Sequence, residues 1–422
     1  MPAAVRLRSA ARETVGGLPG PFWWLWTSTL VNRLGGFVVT FLALYLTADR
    51  GYSPAYAGLV ASLFGLGSAV AAVGGGVLTD RWGRRPTLLA AQSGTAVSTA
   101  VLGFCDGRVT IAATAFVVGL ASNASRPAVS AIIADIVPAE HRVRAYSLNY
   151  WAINIGFGVS AAVAGLIAAH GYLALFLLDA ASTLACAVVI FVRIPETRPE
   201  RAAAVAEAAP AEPRVGLGAV FRDTRFMALV AVNLLLAVVV QQGSTTLAVD
   251  MGREGISAGR YGLVIGLNGL LIVLLQLPVT RLMAGRGRTG LLVVSSLLTG
   301  WGFGLTALAG GSAGFYALTV AVWTVGEIMA APTMMGLVAE LSPARARGRY
   351  QGVYSLSWSL ASFVGPAAGG FLLEHAGGRV VWGGCAVFGT AAAVAFLWLG
   401  RRPAPAAVAE DLPVGAAELS RS

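Results

Sequence analysis

Lysine is absent from all 422 residues, so the basic side chains are 30 arginines and no Gly-x-x-x-x-Gly-Lys phosphate loop exists in the chain. Nucleotide binding by that device is excluded, and energy for any work must come from an ion or solute gradient unless a separate ATPase subunit is recruited. Cysteine is scarce: Cys105, Cys186 and Cys385 are too few and too scattered for a disulfide framework. His141, His170 and His375 are equally scattered, no His-Glu-x-x-His or Asp-rich diphosphate motif occurs, and neither a metal nor another cofactor is expected. Gly310-Gly311-Ser312-Ala313-Gly314 matches a nucleophile elbow by letter, but no strand precedes it and it reads as a turn, so no enzyme is expected. Charge is also scarce, at 12% of residues. Ordinary globular domains carry about twice as much.

Apolar side chains make up 56% of the chain. They fall in stretches of the length, about 20 residues, that crosses a bilayer core of about 30 Å. Twelve spans are expected, near 22–47, 56–79, 87–104, 110–136, 145–170, 172–193, 225–249, 259–283, 290–310, 314–340, 351–374 and 380–400. The fold class is all-α integral membrane. The net charge of +10 would suit a nucleic acid, but its distribution argues against one. With the N-terminus in the cytoplasm, 23 arginines fall in inside segments, five outside, and two, Arg33 and Arg126, within spans. This is the positive-inside bias, and it places both termini in the cytoplasm. Residues 1–21 lack a short apolar core with a cleavage site, so a multi-pass protein of the cell membrane, surrounded by lipid and without a cleavable leader, is expected.

The longest polar interruption, 194–224, reads as a linker with a short amphipathic stretch near Val220 to Arg222. It separates an N-terminal six-helix bundle, 1–193, from a C-terminal one, 225–400, with a cytoplasmic tail at 401–422. An offset of 205 residues pairs Pro127 with Pro332, Asp135 with Glu340, Pro138 with Pro343, Arg142 with Arg347, Arg144 with Arg349 and Gly165 with Gly370. Six spans separate the copies, so the repeat is parallel, the pattern of two pseudo-symmetric bundles that rock about a midplane site.

Between the second and third spans runs Gly76-Val-Leu-Thr-Asp80-Arg81-Trp-Gly83-Arg84-Arg85-Pro-Thr-Leu88. This segment resembles the signature loop of the major facilitator superfamily, G-x-L-x-D-R-x-G-R-R-x-x-L, at every defining position. With the twelve spans, the repeat and the linker, the resemblance covers nearly the whole chain and points to the bacterial twelve-span drug:proton antiporter group. It implies a major facilitator fold, a monomer, and a conformational latch made of Gly76, Asp80, Arg81, Gly83, Arg84, Arg85 and Asp135. In that latch Asp80 faces the start of span eleven near Tyr350, and Arg84 pairs with Asp135 beneath span four. A carboxylate gains about 0.3 to 2 kcal/mol at a helix N-terminus, which suits the first contact. The second-half loop around Arg281, Arg286 and Arg288 lacks the Asp, so an asymmetric latch is expected. The family's antiporter ending, G-P-x-x-G-G, stands in span eleven as Gly365-Pro366 to Gly369-Gly370, whereas span five has Ser160 and Ala161 at the equivalent places.

Ionisable groups inside spans are costly and need a partner, water or a function. Arg33, Arg126 and Glu327 fall on spans one, four and ten, and Gln241 and Gln242 on span seven; the resemblance implies that these four spans line a central cavity. Glu327 is the leading proton carrier and Asp179 in span six the alternative, because a carboxyl that trades an arginine partner for apolar surroundings gains and loses a proton between states. Asn32, Asn123, Asn154 and Asn268 are candidate hydrogen-bonding groups, and Tyr150, Trp151, Trp323 and Trp358 candidate flat surfaces for an organic substrate. The reading is a secondary transporter that exchanges protons for small organic molecules. Its alternatives are uptake of an anionic or peptide-like solute and a non-transporting sensor. Asp80→Asn is expected to leave folding intact and slow transport in inverted vesicles; unchanged flux would remove the latch.

Overall fold

A computed structural model describes residues 16–197, 217–343 and 346–401. Twelve long helices run α1 (Gly20–Asp49), α2 (Pro54–Trp82), α3 (Arg84–Gly103), α4 (Arg108–Ile136), α5 (Arg142–Ala168), α6 (Tyr172–Arg193), α7 (Thr224–Arg253), α8 (Ala258–Met283), α9 (Arg288–Gly304), α10 (Ala313–Leu341), α11 (Arg347–His375) and α12 (Gly378–Arg401). A short helix, Leu217–Arg222, precedes α7 and buries Val220. Among the described residues eleven helices are long and apolar enough to cross a membrane. The twelfth, α3, falls short because Gln92, Ser98 and Thr99 lie in it, yet all three are buried, and α3 packs between α4 and α6. The chain is a multi-pass membrane protein.

Helix starts are written locally, and twice. Ser53 and Ser257, 204 positions apart, each cap a helix by accepting the N–H three residues on, at the starts of α2 and α8. Ser312, the letter-match to a nucleophile, caps α10 through the Phe315 N–H at 3.3 Å. Both opening helices are broken. In α1 the regular turns stop at Leu34 and resume at Val38, around Gly35-Gly36; in α7 they stop at Gln241 and resume at Thr246, after Gly243. At the α1 break the Val38 N–H is satisfied by Asp179 of α6 at 3.1 Å. At the α7 break Gln242 donates to the Gly365 carbonyl at 3.0 Å and accepts from Thr246 at 2.6 Å.

Helices α1–α6 and α7–α12 pack among themselves, and the halves meet chiefly along two crossings, α2 on α11 and α5 on α8, with a smaller contact between the later segments of α1 and α7. Glycine makes both possible. A Cβ on Gly58 would strike the Pro366 carbonyl and Gly370, and one on Gly65 the Ser362 backbone. In the other crossing Gly262 lies on Ala161 and Gly165, and Gly269 on Asn154 and Gly158. Gly58 with Gly262, and Gly65 with Gly269, stand 204 residues apart, so the same joint is built once from each half. Backbone contact this close relies on small residues, as in other membrane helix pairs.

The crossings occupy only the end of the bundle remote from the described chain ends. There one apolar core runs through both halves, including Phe41, Leu46, Val60, Ala164, Tyr261 and Leu247. Two hydrogen bonds also cross between halves here, Tyr261 hydroxyl to the Thr40 carbonyl at 3.2 Å and the Ala55 N–H to Glu374 at 2.9 Å. At the opposite end each half has its own core, around Phe22, Leu88 and Ile132 in one and Phe226, Tyr350 and Phe396 in the other. On that side Gly74 and Gly76 of α2 and Gly352 of α11 have nothing within contact distance of a Cβ. Gly262→Val should cost about 1 to 3 kcal/mol by overpacking, read as a lower melting temperature in detergent, while Gly74→Val, which enters open space, leaves it unchanged.

Candidate functional site

Where the halves part, a cavity of about 970 Å³ opens at the middle of the bundle and extends toward the end that holds the chain termini. Its walls come from both halves: α1 to α6 on one side, with Thr95 and Thr99 from α3, and α7, α8, α10 and α11 on the other. Ser130, Tyr150, Ile272 and Ser355 line its open portion, whereas Val38 and Thr40, next to the shared core, close its floor.

Of the residues singled out from sequence, Asn32, Arg33, Asn123, Arg126, Asn154, Gln241, Asn268, Glu327 and Asp179 line this cavity. Three lie elsewhere. Trp323 is buried in the shared core and stacks on Phe303 at 4.9 Å; Gln242 is tied into the α7 break; Trp151 is outside the lining, and its neighbour Tyr150 takes the cavity position instead. Trp358 faces the cavity with Tyr150.

The charged groups divide by wall. On the N-terminal side Arg33 and Arg126 are near enough to repel each other, and Asp179 lies within electrostatic reach of Arg33. Yet Asp179 spends its oxygens elsewhere, one on the Val38 N–H and the other on Thr183 at 3.5 Å. It therefore pins the α1 break while facing the cavity. On the opposite wall Glu327 accepts from Asn268 at 3.1 Å, and the same amide reaches Thr324 at 3.0 Å. Among the described residues no ion pair within 4.0 Å involves Glu327, Arg33 or Arg126. The permanent Glu327–arginine clasp that would make Glu327 structural is absent in this state. Asn32 bridges three helices, donating to Gln92 at 3.2 Å and Thr183 at 3.1 Å, and Asn123 donates to Ser68 at 2.7 Å.

The Gly76 to Leu88 turn sits at the termini end. Gly83 alone joins α2 to α3, with φ at +107°, a conformation that favours glycine. Arg84 donates to Asp135 at 3.2 Å and lies 3.9 Å from Asp80, whose side chain is 79% exposed. The start of α11 is held otherwise, by Tyr350 hydroxyl to Asp223 at 3.0 Å. Arg85 covers the Phe191 ring at 5.0 Å and Arg81 is exposed. Two residues missed in the sequence complete the turn. Glu196 accepts from the backbone N–H groups of Arg84 and Arg85, at 3.0 and 3.2 Å, and so caps α3; Thr197 donates to Asp135 at 2.9 Å. The second half keeps more of this device than its letters suggested. Arg288 and Glu340 form an ion pair at the positions equivalent to Arg84 and Asp135, whereas the equivalents of Asp80, Arg81 and Arg85 are the uncharged Ala284, Gly285 and Thr289.

Residues 25–330 and 243–420 match the profile of the Major Facilitator Superfamily. An uncharacterized MFS-type transporter, YhjO of Bacillus subtilis (strain 168), is 24% identical over 365 residues, covering 85% of this chain and 87% of that one. Multidrug resistance protein MdtH of Aeromonas salmonicida (strain A449) is 25% identical over 367 residues, covering 84% and 88%. A crystal structure of a POT family transporter in complex with 5-aminolevulinic acid superposes with a TM-score of 0.74 at 15% identity, covering 91% of this chain and 96% of that one.

Capping by Glu196 is testable apart from transport. Glu196→Gln weakens an acceptor shared by two backbone N–H groups and should lower thermal stability in detergent by an amount typical of a lost helix cap, about 0.5 to 2 kcal/mol.

Proposed function

The chain belongs to the Major Facilitator Superfamily, a family of membrane transporters for small molecules and not an enzyme class, and from that premise we propose that it is a proton-coupled exporter of small organic or drug-like molecules working by alternating access. The observation that carries the proposal is the midplane cavity between the halves, closed at one end by two glycine crossings and holding Glu327 free of any ion pair. Export is favoured by the extensive similarity to MdtH, which covers most of both chains. The arginine distribution orients the open end to the cytoplasm of a cell membrane, with both termini inside. The working unit is a monomer in lipid, with residues 1–193 and 225–400 as the two rocking bodies, and it needs no nucleotide.

In this reading the described state is inward-facing. Closure of the cytoplasmic end would bring the vacant faces at Gly74, Gly76 and Gly352 together and carry Asp80 to the start of α11, where a carboxylate meets the helix N-terminus. The far-end crossings would have to part in the same motion, because the halves move as bodies about a fixed site. Glu327 would bind a proton in one state and lose it in the other, and so bias the two populations. A second reading, uptake of an anionic or peptide-like solute, is favoured by the absence, among the described residues, of an ion pair at Arg33 or Arg126.

Inverted vesicles with an imposed proton gradient, challenged with anionic, neutral and cationic organic compounds, test coupling and direction together. Glu327→Gln is expected to abolish gradient-driven accumulation, by at least about tenfold, while leaving exchange of substrate across the membrane without a gradient. Full gradient-driven flux in Glu327→Gln, with its loss in Asp179→Asn, would move the proton site to Asp179; loss in neither would refute proton coupling through these groups.

A further inference from the structure

The cavity's two arginines pose a question that transport in general does not answer. A guanidinium inside a membrane bundle is costly unless something neutralises it, and here two of them face one space, close enough to repel. Structural arginines elsewhere in this protein are occupied. Arg84 holds Asp135, Arg253 holds the Leu373 carbonyl at 2.8 Å, and Arg50 pairs with Asp106. No described hydrogen bond or ion pair restrains Arg33 or Arg126, and Arg126 remains exposed to the cavity. The nearest candidate counterion, Asp179, has both oxygens committed to the Val38 N–H and Thr183, so it offsets part of the charge without clasping either arginine. Glu327 stands on the opposite wall, engaged by Asn268.

The apolar part of the lining is uncovered in a similar way. Tyr150 is 40% exposed and Trp358 38% exposed, although both project into the interior of the bundle. Elsewhere in the core, large aromatic side chains such as Trp382, Tyr261 and Phe303 are almost wholly covered. Two bare aromatic surfaces and two bare guanidiniums in one cavity describe the complement of a molecule with a planar apolar body and an anionic end. A carboxylate suits the arginines best among simple anions joined to such a body, because its two oxygens can accept from a guanidinium fork or bridge two of them.

We infer that the cavity is a receptor for aromatic monocarboxylates, with Arg33 and Arg126 taking the carboxylate and the exposed faces of Tyr150 and Trp358 taking the ring. The inference rests on the reading of this cavity as the transport site and names the substrate class for it. It holds for either direction of movement. An organic cation is disfavoured here, since it would have to displace the Asn268 contact at Glu327 while sharing the space with two guanidiniums whose charge Asp179 offsets only in part.

Equilibrium binding to the purified full-length protein in lipid nanodiscs separates this inference from the transport proposal, which stands or falls on flux. The probes are benzoate, its neutral isostere benzamide, and benzylammonium, each titrated by calorimetry. Benzoate is expected to bind at least about tenfold more tightly than the other two. Arg126→Gln should weaken benzoate by about tenfold or more and leave benzamide unchanged, and Arg33→Gln should do the same; Arg126→Lys, which keeps the charge but not the planar fork, should fall between. Melting temperatures show whether each variant is folded, and either arginine variant alone suffices for the test. Equal binding of the three probes, preference for benzylammonium, unaltered benzoate affinity in folded Arg126→Gln or Arg33→Gln, or no benzoate binding at all overturns the assignment.

Discussion

The glycine crossings set the geometry on which the rest of the molecule depends. Where Gly58 and Gly65 meet α11, and Gly262 and Gly269 meet α5, backbones touch and no side chain intervenes. Past Gly65 and Gly269 the helices diverge, the single core becomes two, and the space between is the cavity. A larger interface would leave no room for a ligand; a shorter one would leave polar wall residues open at both ends. The near-equal spacing of equivalent glycines indicates that one joint, duplicated, serves both sides, so a motion that loosens one acts on the other by symmetry.

Electrostatics then follows from position. Buried charge in a membrane protein must be paired, wetted or put to use, and the chain applies each solution in a different place. At the termini end, arginines pair with Asp135 and Glu340 and anchor the ends of α3 and α9. At the far end, Asp250 is satisfied by the Tyr316 hydroxyl at 2.9 Å and the Trp382 indole at 3.0 Å, a neutral clasp that binds three helices. At the cavity, Arg33 and Arg126 have no ion pair among the described residues.

Much of this was legible in the residues, for identifiable reasons. Helix ends came close, as with α2 expected at 56–79 and found at Pro54–Trp82, because hydropathy and capping residues mark them directly. Arg84 with Asp135 followed from the signature loop. What sequence could not supply was rotation about each helix axis: successive residues point about 100° apart, so Tyr150 reaches the cavity and Trp151 does not, and Gln241 does while Gln242 turns to Gly365. The Arg288–Glu340 pair is less legible, because Arg288 stands one position off the 205-residue repeat and the loop around it has lost the Asp. Glu196 offered no such signal, being a single acid in an aperiodic segment after α6.

That cap bears on how the protein is made. Helix α3 is the least suited of the twelve to enter lipid unaided, and its first turn is completed by a residue synthesised 111 to 112 positions later. During biosynthesis, therefore, the third helix stays uncapped until Glu196 has been made, so its first turn depends on the whole N-terminal half being in place.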